Sequence, residues 1–263
     1  MDVIDFFAFT IETPNEAVLH DLSSADIAEN VRAAAGGRVN KSQFVIFDPD
    51  LPNRAGQLEA FSAALRDCGC FYSQIAPIGA PDAVERIGRA RDAGATTLAF
   101  HPYLQDLDNS RIAEAVSLAR AGAALGMSIC VCTAYGSRKI YAIEPLRVAA
   151  AMAEVVSTAV VLVHGGGAKV LDAMLLADAF PQVYLDTSFS LSYWLGSSVE
   201  LDLVFAMRKL GPEKWLFGSD SPFVNLETAL NDHSDFFERH GFPSEFVASV
   251  MGPNALKILE VAR

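Results

Sequence analysis

The sequence predicts an α/β protein, a closed barrel of eight parallel strands with helices between them, and three observations predict it. Eight short apolar runs rich in Val, Ile, Leu and Phe recur along the 263 residues. None shows the strict polar–apolar alternation of a half-exposed sheet, which marks strands covered on both faces. Between them lie stretches with an apolar residue every three or four positions that stop at glycine, as amphipathic helices do. Strand, helix, glycine, strand, repeated around eight times, is the pattern of a (β/α)8 TIM barrel.

In chain order the runs are VIDFFAF (3–9), QFVIFD (43–48), CFYSQIAP (70–77), TTLAFH (96–101), MSICVCT (127–133), AVVLVHG (159–165), VYLDTS (183–188) and KWLFGSD (214–220). Helical periodicity is clearest over 83–93, ending at Gly94, and over 110–125, ending at Gly126, where Asn109-Ser110 offers a cap. It recurs over 201–210 and 247–261. An open doubly wound sheet would show a glycine-rich turn after the first strand. Thr10-Ile11-Glu12-Thr13-Pro14 stands there instead. No linker or shift in composition divides the chain, so one domain over 1–263 is expected.

Composition narrows the partners. Hydrophobic residues make up 51% and charged residues 20%, as in a compact fold. A net charge of −12 repels polyanions, which excludes nucleic acid as an expected partner. No apolar run reaches the roughly 18 to 20 residues of a membrane span; the most apolar region, 148–163, is broken by Glu154, Ser157 and Thr158. Met1-Asp2 leads into the first strand without a basic stretch, so no secretory signal is read and a cytoplasmic location is expected. The cysteines form two C-x-C pairs, Cys68/Cys70 and Cys130/Cys132. Buried, reduced thiols fit them better than structural zinc, which favours wider spacing.

In such a barrel the chemistry sits at the C-terminal strand ends. The ionisable or nucleophilic residues there are Asp48, His101, Cys132, His164, Asp186 and Asp220. In VLVHGGGAKV, His164 precedes three glycines that serve as a tight turn or expose N–H groups to an anion. In WLFGSDSPF, Gly218 lets the chain bend and Asp220 emerges at the barrel mouth. Arg138 and Lys139 follow the fifth strand, where Arg138 could grip a carboxylate. Tyr103, Tyr135, Tyr193 and Trp194 serve either as walls for a ring-shaped substrate or as core aromatics.

Together, VIDFFAF, LAFHPYLQ (98–105), VLVHGGG (161–167), VYLDTSFS (183–190), LFGSDSPF (216–223) and GPNALKIL (252–259) resemble the amidohydrolase superfamily, specifically its amidohydrolase-related, decarboxylase-like branch. The resemblance implies a (β/α)8 barrel that hydrolyses C–N or C–O bonds or removes carboxyl groups. It implies one divalent metal, usually zinc. That metal is held by an H-x-H pair on strand one, a histidine on strand five and an aspartate on strand eight, with a sixth-strand histidine assisting. Carried onto this chain, His164 and Asp220 match the sixth- and eighth-strand positions, Cys132 falls near the fifth, and Phe7 and Phe9 stand in place of the H-x-H pair.

A phenyl ring offers zinc no lone pair. The expectation is therefore a metal-independent hydrolase or lyase without cofactor, acting on a small carboxylated, lactone or amide substrate. The resemblance implies Asp220 and His164 as its acid and base; His101, Cys132, Arg138 and Tyr103 would contact substrate. Two alternatives stand beside it: an inactive barrel serving as a binding or assembly module, and a zinc enzyme with an atypical site recruiting Cys132 or His101. A Cys132–His164–Asp220 arrangement also admits a nucleophilic thiol. The apolar outer helices leave a homodimer open.

Overall fold

The structure, a computed structural model, describes residues 3–9, 23–35 and 40–261. All eight strands form where the apolar runs lie: β1 (Ile4–Phe9), β2 (Lys41–Ile46), β3 (Phe71–Ile75), β4 (Ala95–Phe100), β5 (Ser128–Cys132), β6 (Val160–Val163), β7 (Val183–Asp186) and β8 (Trp215–Leu216). They make one sheet in sequential order, each strand parallel to its neighbour. The first strand also meets the segment after β8. Phe6 N–H donates to Phe217 O, Asp220 N–H donates to Phe7 O, and Ala8 bridges Ser221. The sheet thereby curls into a (β/α)8 barrel, as the sequence predicts.

The strands carry β-branched and aromatic residues because both faces are covered. One buried cluster fills the layer between sheet and helices, with Phe44, Phe100, Val131 and Trp215 among its members. A second fills the barrel interior: Phe7, Val45, Phe71, Ile75, Ala99, Cys130, Val161 and Leu216, closed off by Ala255, Ile258 and Leu259 from the helix Pro253–Val261. The site is thus built on a packed floor.

Helices at Ala83–Asp92, Ile112–Ala124 and Ser198–Leu210 agree with the periodicity. Two details differ. The 110–125 helix begins at Ile112 behind Arg111, with no side-chain cap from Asn109 or Ser110. The stretch 247–261 is two helices, Ser244–Met251 and Pro253–Val261, split at Gly252. The proline ring at 253 cannot continue a preceding helix. Helices at Ser24–Ala35, Ala55–Asp67, Pro145–Ala153, Val170–Ala179 and Leu226–Arg239 complete the shell. No helix among the described residues is long and apolar enough to cross a membrane. All four cysteines are free thiols; Cys70, Cys130 and Cys132 are buried and Cys68 half-buried.

Candidate active site

The barrel mouth gathers residues from six strand ends. On β1 the ring of Phe7 points inward and meets the His164 imidazole edge-on, centroids 5.6 Å apart. The side chain of Phe9 lies outside the described residues. The one charged residue of VIDFFAF, Asp5, is fully buried and accepts from Ser219 N (2.8 Å) and Ser219 Oγ (2.6 Å). That pair ties β1 to the turn carrying Asp220. Asp5 was not a candidate in the sequence, although a lone carboxylate inside VIDFFAF is the signal that marks it.

His164 is held at four points. Its N–H donates to Asp186 Oδ1 (3.2 Å) and its carbonyl accepts from Ser190 Oγ (2.7 Å). Its Nδ1 lies 2.9 Å from Ser188 O and 3.1 Å from Ser188 Oγ, and its ring also faces Phe189. Ser188 O can only accept, so Nδ1 carries the proton and Nε2 presents a lone pair. Burial pushes the imidazole pKa down to about 4, leaving it neutral.

The chain leaves His164 through Gly165, Gly166 and Gly167, and all four residues have positive φ. Glycine is needed here. A Cβ on Gly166 would stand 2.6 Å from Ala173 Cβ, and one on Gly165 3.0 Å from Asp186 O. Gly166 N–H is engaged by Thr133 Oγ1 at 2.8 Å. The run therefore seats the turn against the next helix. Non-glycine residues with positive φ are uncommon, and here they include both His164 and Asp220.

Asp220 is 6% exposed and its carboxyl accepts no hydrogen bond from any described residue. Burial first, then the charges of Asp186 and Asp5, raise its pKa to about 8. Asp186 is fully buried and raised to about 7, chiefly by burial. Its Oδ1 receives His164 N–H, Ser188 N–H and the Ser188 hydroxyl, while Oδ2 has no partner among the described residues. Because burial keeps His164 neutral, no imidazolium charge from it opposes this rise.

Of the residues the sequence puts against substrate, His101, Cys132 and Tyr103 sit around this mouth. The pKa of His101 is lowered to about 4 by burial and by His164. The Cys132 thiol is buried and pushed up to about 12, by burial first and then by Asp220 and Asp186. Burial disfavours the thiolate that a nucleophilic Cys132 would need, which weighs against the Cys132–His164–Asp220 reading. Arg138 is exposed on the loop after β5, and no described residue bonds to it. Lys139 is turned away, donating to Tyr103 O (3.0 Å) and pairing with Asp106. Asp48 pairs with Arg54, and Tyr135 bonds Glu144 under Lys169; these are structural contacts. Tyr193 is exposed and stacks on Phe189, extending an aromatic wall outward from His164.

The donor set does not fit the metal that the fold family implies. The inward β1 side chain at the mouth is a phenyl ring, and no group of three or more His, Cys, Asp or Glu among the described residues is arranged to hold an ion.

A parallel barrel with carboxyl and imidazole groups at its strand ends defines the class of (β/α)8 proteins whose sites open at the C-terminal face. A sequence model of the amidohydrolase family matches residues 29–261, and the chain belongs to that family. No curated protein matches the chain. Among solved structures, an uncharacterised TIM-barrel protein of Bordetella bronchiseptica superposes with TM-score 0.70 at 16% identity, over 100% of this chain and 99% of that one. The probable 2-pyrone-4,6-dicarboxylic acid hydrolase of Acinetobacter baumannii, with citric acid bound, gives TM-score 0.67 at 13% identity, covering 99% and 100%. The 5-carboxyvanillate decarboxylase of Sphingomonas paucimobilis gives 0.62 at 16%, covering 98% of each. At these identities the likeness is one of fold.

Proposed function

We propose that this protein is a metal-independent hydrolase or lyase of small carboxylated, lactone or amide substrates, with Asp220 and His164 as its acid–base pair. The observation that carries the proposal is the Asp220 carboxyl: buried at the mouth, unpartnered among the described residues, and tuned to about 8. A group titrating near neutral pH can both take and return a proton within one turnover. Hydrolysis and decarboxylation are the chemistries named for the fold neighbours, which supports the substrate class.

For a lactone the steps balance as follows. Ionised Asp220 takes a proton from water, and the Nε2 lone pair of His164 orients that water. The water oxygen attacks the carbonyl carbon. The tetrahedral oxyanion collapses, the ring C–O bond breaks, and the leaving alkoxide takes the proton back from Asp220. The product is a hydroxy acid.

A second reading, a non-catalytic barrel, is favoured by the Phe7 ring lying in the mouth against His164. One experiment separates the two. Chelator-treated protein and Asp220→Asn are assayed on δ-valerolactone and on a hydroxybenzoate. The proposal expects turnover by the chelated wild type and a loss of about 10³-fold in the variant. Equal rates in the two proteins, or activity that returns only with added zinc, would overturn it.

A further inference from the structure

Tyr103 follows β4 in the segment HPY, 94% of its surface removed from solvent. Its hydroxyl has no hydrogen-bond partner among the described residues. Its ring lies edge-on to His101, centroids 6.4 Å apart, and its backbone carbonyl is fixed by Lys139 Nζ at 3.0 Å. Burial, with Cys132 and Glu144 nearby, raises the phenol to about 12, so the proton stays on Oη.

His101 is oriented beside it. Leu104 N–H donates to His101 Nδ1 at 3.3 Å, which makes Nδ1 the acceptor and leaves the proton on Nε2. His101 N–H is held by Gln105 Oε1 at 2.8 Å, and Phe47 packs against the ring. Two neutral donors are therefore carried on rings whose centroids lie 6.4 Å apart, without acceptors of their own from the described residues. An unmet buried hydroxyl costs free energy unless something outside the fold satisfies it.

The charge around them is one-sided. Asp5, Asp186 and Asp220 supply carboxyl groups to the mouth. Among the described residues, the cations that follow β5 and β6 are directed elsewhere: Lys139 pairs with Asp106, Lys169 pairs with Glu144, and Arg138 is exposed. A substrate carboxylate at the reacting position would face carboxyl groups. An uncharged carbonyl would not, and its oxygen needs donors.

We propose that Tyr103 Oη and His101 Nε2 form a neutral donor pair for the carbonyl oxygen of a lactone, ester or amide, and that this pair selects hydrolysis over decarboxylation at the site. The inference rests on the reading of Asp220 as the acid–base group. The pair strengthens its bonds as the carbonyl becomes an oxyanion, the point at which donors accelerate acyl transfer most.

The test uses Tyr103→Phe with two probes, δ-valerolactam as a slowly hydrolysed neutral carbonyl and benzoate as a carboxylate, with binding followed by NMR titration. The wild type should bind the lactam more tightly than benzoate. The variant should lose lactam affinity by at least about fivefold and δ-valerolactone kcat by about 10²-fold. Its Tm should match or exceed wild type, because the removed hydroxyl bonds no described residue. A lower Tm would show a structural partner and overturn the proposal. So would unchanged lactam affinity, tighter binding of benzoate, or no lactam binding to the wild type. Asp220→Asn should keep lactam affinity while losing lactone turnover, so a failure of the donor pair and a failure of the acid–base assignment give different results.

Discussion

The rings of Phe7 and His164 meet edge-on, their planes inclined by 78° and their centroids 5.6 Å apart. The phenyl ring is part of the packing that buries the imidazole, and burial lowers its pKa to about 4. Replacing Phe7 by Ala should cost about 3–5 kcal/mol by urea denaturation, since a fully buried ring leaves a cavity. Water admitted there should raise the His164 pKa from about 4 toward its ordinary value, as followed by NMR titration.

With the Asp220 pKa near 8, only about a tenth of the carboxyl is ionised at pH 7. If the ionised form takes the proton from water, kcat/KM should rise about tenfold per pH unit up to pH 8 and then level off. A rate that falls above pH 8 would assign the protonated form instead.

Stability should respond to the same groups with a defined sign. Asp186 and Asp220 have folded pKa values of about 7 and 8, above the ordinary 3.8. Each contributes stability that is fully present below about pH 4 and lost as pH rises through its folded value. His101, His164 and His233 are lowered to about 4, so their contributions are present above pH 6.5 and lost as pH falls toward 4. Between about pH 7 and 8 the histidines are largely neutral in both states, and the two aspartates dominate among these five. The Tm should therefore fall across that interval in a thermal melt series, and Asp220→Asn should flatten the decline.

Gly218 and Asp186 are locked together. A Cβ at 218 would stand 2.3 Å from Asp186 Oδ2 and 2.8 Å from Ser188 Cβ. Gly218→Ala should cost about 1–3 kcal/mol in urea unfolding, the range for overpacking. Adding Asp186→Ala should restore part of that loss, a coupling read from the double-mutant cycle.

Much of this arrangement is legible in the sequence, for a physical reason. Buried parallel strands must be continuously apolar, so VVLV, SICVC and ATTLAF stand out, and the polar residue closing each run falls at the mouth. His101, Cys132, His164 and Asp220 are found that way. What period alone does not show is how each residue is satisfied. Lys139 looks like an anion receptor until Asp106, 33 residues away, is seen to take it. The thiol of Cys132 looks nucleophilic until its burial is known. Asp5 hides within an apolar strand because its partner, Ser219, lies at the opposite side of the sequence.

That last bond joins positions 214 residues apart. During synthesis Asp5 is made 214 residues before Ser219, so the carboxyl finds its serine only after the eighth strand has been synthesised. Closing so long a loop is entropically slow, and the mouth takes shape only when both margins of the sheet arrive. Completion of the mouth is thus the last event: a half-made polypeptide possesses Cys132 but neither Ser219 nor Asp220.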